Sequence, residues 1–188
     1  MKMRINKMVW LGINLMMIII MVIIGGLTRL TDSGLSMTNW NLLLGIIPPI
    51  SESEWQYTFD LYKQYPEFKL KNSGMTLVEF KKIFFWEYLH RIWGRLIGLT
   101  FFIPLIFLWI KGAFNRGEKK LLVILSLLGC FQAFMGWFMV KSGLIDKPDV
   151  SHFRLSAHLV TAFAIYSLLL YFFWMNFLSI KLNNPNNK

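Results

Sequence analysis

Four long apolar runs, at residues 8–27, 77–110, 121–140 and 151–178, decide most of what this chain can fold into. About 20 apolar residues in a helix cross a bilayer's hydrocarbon, and each run reaches that length. Inside lipid the backbone must satisfy its own hydrogen bonds, so runs of this kind become helices. Hydrophobic residues make up 55% of the 188 and charged ones only 16%, mostly between the runs. The expected fold is an all-α integral membrane protein, a single up-down bundle of four transmembrane helices over residues 1–188. A long first outer loop, residues 28–76, separates the first two spans.

Charge sets the orientation. The net charge is +10, but the basic residues sit at the ends of apolar runs, which speaks for topology and lipid headgroups and against nucleic acid. Lys2, Arg4 and Lys7 precede the first run, and Lys111, Arg116, Lys119 and Lys120 face only Glu118 in a short loop. The positive-inside rule therefore puts that loop and both termini in the cytoplasm. The first run is too long for a signal peptide and no A-x-A site follows it, so it reads as a retained span. Without an Arg- and Ser-rich presequence, the expected location is a bacterial inner membrane, or the mitochondrial inner membrane if the gene is organellar. A single cysteine, Cys130, rules out an intramolecular disulfide and a cysteine metal site, and three histidines are too few for desaturase-type iron chemistry.

Between the runs, turn chemistry is legible. Gly25 to Met37 is rich in Gly, Ser and Thr, and such a stretch can present backbone N–H groups and Arg29 to an anion, or simply cap a helix. Ser51 with Glu54 and Thr76 with Glu79 match capping boxes, predicting a short outer helix after Ser51 and a second span that runs unbroken to Ile110. Gly129, Ala133 and Gly136 are small packing positions in the third span, and Pro148 and Asp149 mark the last outer loop.

The chemistry gathers where Trp86 to Arg95 carries ionisable side chains into an apolar run, a costly placement unless they are paired or used. Glu87 and His90 are i, i+3 on one helix face, which Gly94 and Gly98 continue and leave open for a flat ligand. His158 lies on another span. Counting from the lysine closing each run, 111 − 90 = 21 residues and 181 − 158 = 23, so both histidines lie at one depth, about 32–35 Å from the inner boundary. Two imidazoles on diagonal helices of a bundle can clasp one haem iron from both sides. Glu87, His90 and His158 as a non-haem iron triad, or as mere hydrogen-bonding residues, remain the alternatives. His152, on a different face, reads as an interfacial residue. Arg29, Arg91, Arg95 and Arg154 lie toward the outer side, where guanidinium forks suit haem propionates or, equally, lipid phosphates.

These residues resemble the haem A synthase family, in the alphaproteobacterial and mitochondrial branch that lacks paired loop cysteines. The resemblance rests on Gly25-Gly26-Leu27-Thr28-Arg29-Leu30-Thr31, Ser33-Gly34-Leu35-Ser36-Met37 with Trp40, and Pro66-Glu67-Phe68-Lys69. It continues through Met75-Thr76-Leu77, Glu87-Tyr88, His90-Arg91, Trp93-Gly94-Arg95, Met139 to Leu144 and Arg154-Leu155 with His158-Leu159. It implies an oxidoreductase that oxidises the C8 methyl of haem O to a formyl group, giving haem A for cytochrome oxidase. In that resemblance His90 and His158 are the axial ligands of the substrate haem and Glu87 is the catalytic glutamate. The family consists of two similar four-helix halves, and this chain corresponds to the first. The second half, with its own histidines for an electron-relaying haem b, is expected from a further segment, a second polypeptide or a second copy. Haem O would come from a haem O synthase, with the electron partner left open. The rival functions are a membrane b-type cytochrome and a non-catalytic haem-binding assembly protein.

Overall fold

The computed structural model describes residues 2–38, 46–143 and 149–182, so Trp40, Leu144, Pro148 and the Asn-rich tail lie outside the described residues. Among the described residues all regular structure is helical: α1 (Lys2–Leu30), α2 (Glu52–Tyr62), α3 (Pro66–Leu70), α4 (Leu77–Ile110), α5 (Arg116–Gly143) and α6 (His152–Leu182). Four of these, α1, α4, α5 and α6, are long and apolar enough to cross a membrane. The protein is an all-α integral membrane protein. Helix α1 continues past Gly25 and Gly26 to Leu30, three residues beyond the apolar run. Helix α5 starts at Arg116 because Asn115 Oδ1 accepts from the Glu118 N–H while Glu118 Oε2 accepts from the Asn115 N–H, the reciprocal pattern of a capping box. The short α3 has Pro66 in its first turn, where a missing N–H costs nothing.

The chain divides into two compact units. One comprises Met1–Ile20, Arg95–Gln132 and Leu159–Lys188. Its core packs Trp10 and Leu11 with Leu105, Leu122, Leu125 and Phe172. Pro104 lies inside α4 and has no N–H for the Thr100 carbonyl, one turn earlier. Trp10 Nε1 donates to that carbonyl at 3.0 Å, and Asn14 Nδ2 reaches it at 3.5 Å. An α1 side chain thus replaces the bond that proline removed. Trp10→Phe is expected to lower stability by about 1 kcal/mol, the Thr100 carbonyl then keeping only the longer bond from Asn14 Nδ2. In a Pro104→Ala background the restored backbone donor should shrink that cost, which unfolding of the four variants in detergent would measure. Lys7 is buried in the same unit, paired with Glu118 at 2.8 Å.

The other unit comprises Met21–Gly94 and Ala133–His158. The Ser51 capping box forms as expected, Ser51 Oγ accepting from the Glu54 N–H, and Glu79 closes the second box on Thr76. The outer helix α2 is held to α4 by aromatic rings. Phe59 stacks on Phe80 at 4.9 Å, Tyr62 lies 5.2 Å from Phe80, and Trp55 meets Phe84 edge-on at 5.0 Å. Met37, in the turn after α1, is buried in the same cluster.

Glu67 of α3 is buried beside these rings and accepts a hydrogen bond from the Tyr62 hydroxyl at 3.0 Å, while Asn72 Nδ2 donates to that hydroxyl at 2.8 Å. Burial first, and then the charges of Glu87 and Asp32, push the Glu67 carboxyl up to about 8 against the opposing pull of Tyr62 and Lys71. Tyr62 is held well above the ordinary phenol range, by burial and then by the Glu67 charge. Between pH 4.5 and about 8 the folded state holds a proton at Glu67 that the unfolded chain has released, so stability falls as pH rises across that window and levels off above it. Glu67→Gln should flatten that slope in thermal unfolding recorded from pH 5 to pH 9.

Candidate functional site

The site starts from how α1 ends. Asp32 takes a left-handed conformation at φ 48°, and the Ser33 N–H bonds back to the Thr28 carbonyl at 2.9 Å, a Schellman closure with Asp where Gly is usual. Arg29 pairs with this Asp32 at 3.3 Å near the surface. Thr31 and Ser33 join hydroxyls at 2.5 Å, and Thr28 donates to the carbonyls of Ile24 and, across to α4, Trp86. The chain reverses there and brings Ser36 and Met37 onto α4.

Both meet Glu87. Ser36 Oγ and the Met37 backbone N–H each donate to Glu87 Oε2 at 2.7 Å, while Arg91 donates to Oε1. Arg91 also donates to the Met37 carbonyl at 2.8 Å. Glu87 is 3% exposed, so this is a buried carboxylate fixed by three donors, with its counter-ion one turn along the same helix. The Gly-, Ser- and Thr-rich stretch does present a backbone N–H to an anion, and in the folded chain that anion is Glu87.

His90 lies one turn from Glu87 with its Nε2 toward α1, where a Cβ on Gly25 would come within 3.3 Å. On α6, His158 stands against α5, where a Cβ on Gly136 would come within 3.5 Å of its Cε1. His90 and His158, on α4 and α6, both belong to the second compact unit. Gly94 has another task. A Cβ there would meet Met21 of α1 at 3.4 Å, so this glycine accommodates helix packing, and the backbone clearance beside His90 comes from Gly25. Sequence reading missed the parts played by Gly25, Gly136 and Ser36. The available signal was a helix-length apolar run that retains glycines at about 1 kcal/mol each relative to alanine, which marks close approach to something.

The arginines separate into different settings. Arg91 is committed to Glu87 and Met37, and Arg29 to Asp32. Arg154 donates to Ser142 and lies 4.6 Å over the Phe138 ring. Arg95, partly buried, follows Arg91 by one turn of α4. His152 is exposed at the start of α6. Among the described residues no group of three or more His, Cys, Asp or Glu side chains is arranged to hold a metal ion, which disfavours the non-haem triad.

Comparison with known proteins decides the lineage. The family model for the cytochrome oxidase assembly protein COX15-CtaA matches residues 8–188. The chain belongs to the COX15-CtaA family. Its COX15-CtaA relatives include proteins named "Heme A synthase" from Rhodospirillum centenum, 51% identical over 162 residues, and Paramagnetospirillum magneticum, 52% over 167. These alignments cover 86% and 89% of this chain but 43% and 46% of the relatives. A "Heme A synthase" from Flavobacterium psychrophilum is 49% identical over 173 residues, 90% of this chain and 51% of that protein. The chain therefore spans about half the length of the curated relatives it matches. No solved structure matches.

Proposed function

We propose that this COX15-CtaA chain is the substrate-binding half of a haem A synthase, holding haem O through His90 and His158 while its C8 methyl is oxidised to a formyl group. The observation that carries this reading is the histidine pair: two imidazoles from different helices of one compact unit, each set beside a glycine that leaves the ring room. That donor set fits haem. A porphyrin supplies four equatorial nitrogens of its own and asks the protein only for axial ligands, and bis-imidazole ligation needs no third side chain.

In this reading Glu87 is a fixed negative charge one turn from the ligand His90. Oxidation of a ring methyl develops positive charge on the macrocycle, and a carboxylate already oriented by Ser36, Met37 and Arg91 stabilises it without reorganising. With both oxygens accepting from donors, Glu87 suits this electrostatic role better than proton uptake. Arg29 and Arg154 are the arginines proposed for the propionates, because the exposed Arg29–Asp32 pair is weak enough to yield to a haem carboxylate. Haem O would arrive from a haem O synthase, and a haem b held by a complementary half or a second copy would supply the electron relay. We place the chain in a bacterial inner membrane with both termini in the cytoplasm.

Pigment extraction from membranes that express this chain and are supplied with haem O tests the proposal. Haem A in the extract supports catalysis. Bound haem O alone supports a second reading, a binding half that leaves oxidation to a complementary half. Membranes that retain no haem would refute both.

A further inference from the structure

We infer that the turn between α4 and α5 forms a binding site for an anionic phospholipid. Within the first compact unit, Trp109, Arg116, Lys119, Lys120, Val123 and Ile124 line a cleft of about 500 Å³, a volume that fits a phosphoglycerol headgroup and its first methylenes. Its position is set by the chain: α4 ends at Ile110 and α5 begins at Arg116, so the cleft lies where two apolar spans meet the headgroup layer.

Charge selects the occupant. Glu118 is the only acid between Lys111 and Lys120, and it is turned inward to the buried Lys7 at 2.8 Å and to the Asn115 N–H. The cleft's own surface is apolar, formed in part by the stems of Arg116, Lys119 and Lys120, which bring three cations to its border, and no carboxylate is among its lining residues. Lys119 is already oriented, its ammonium 5.3 Å from the Trp109 ring centroid, which fixes one donor at the headgroup level. Val123 and Ile124, 49% and 48% exposed, continue the floor down α5 as a track for an acyl chain. A phosphodiester above and a hydrocarbon below match this cleft, whereas a zwitterionic lipid would bring a choline cation to the same three positive groups.

The test uses the full chain in nanodiscs of phosphatidylcholine with a minority of phosphatidylglycerol, followed by extraction into detergent and native mass spectrometry of retained lipid. Wild type is expected to retain phosphatidylglycerol in preference to phosphatidylcholine. Replacing Arg116, Lys119 and Lys120 together with Gln should weaken that retention about a hundredfold. Replacing Lys63, Lys69 and Lys81 with Gln removes as much charge elsewhere and should change nothing. Val123→Trp keeps every charge but fills the cleft floor, and it should also lose the lipid. No preference in wild type, preference surviving the cleft substitutions, equal loss in the Lys63 set, or full retention in Val123→Trp would each overturn the inference.

Discussion

His90→Ala and His158→Ala are each expected to reduce haem bound by the purified chain to background, with helix content by circular dichroism unchanged. Under the proposed ligation each substitution removes an axial nitrogen, and both side chains stand against a glycine, Gly25 or Gly136. Free imidazole diffused into the truncated site should restore part of the binding, since the space the ring occupied remains. Gly25→Val makes the converse change. It keeps both histidines but fills the clearance beside His90 Nε2, where even a Cβ would stand at 3.3 Å, and it should lower haem occupancy as well. If either histidine could be removed without loss of haem while Gly25→Val abolished it, the glycine would matter for packing alone.

The second large effect is at Glu87. Glu87→Ala strands the Arg91 guanidinium, 10% exposed, and should cost about 3–5 kcal/mol in stability, the usual penalty for breaking a buried ion pair from one side. The double variant Glu87→Gln, Arg91→Gln removes both charges and should recover most of that loss. Haem O binding should survive in the double variant while haem A formation does not return. That separation assigns Glu87 to the oxidation rather than to the fold, and under the electron-carrier alternative the redox behaviour of bound haem would stay nearly unchanged. Ser36→Ala removes one charged hydrogen bond and is expected to cost about 1.5–3 kcal/mol. Thermal unfolding and pigment yield, measured on the same preparations, check both statements.

The spans were legible because their signal is strong and local. A run of apolar residues at spanning length has one stable form in lipid, and the Ser51 and Thr76 boxes fixed helix starts from four residues each. The end of α1 was less legible: Gly25 and Gly26 look like a stop, yet lipid favours a continued helix, and the reversal waits for Asp32. Of the site, sequence spacing put Glu87 and His90 one turn apart on α4. It could not give the grip of Ser36 and Met37 on Glu87, because a contact between residues about fifty positions apart depends on how the turn after α1 folds back. Nor could it tell that Gly94 packs on Met21 while Gly25 clears His90, since a glycine's spacing says only that something approaches closely. The support that Trp10 gives to the Thr100 carbonyl was hidden for the same reason, although Pro104 announced that a partner was needed.

The central claim is that two imidazoles ligate one haem iron. Electron paramagnetic resonance of the oxidised chain, loaded with haem O and compared with His90→Ala and His158→Ala, reads the axial ligands directly. A low-spin bis-imidazole signal in wild type that vanishes in both variants is the predicted result. A high-spin signal in wild type, or a low-spin signal that persists after either histidine is removed, would contradict it.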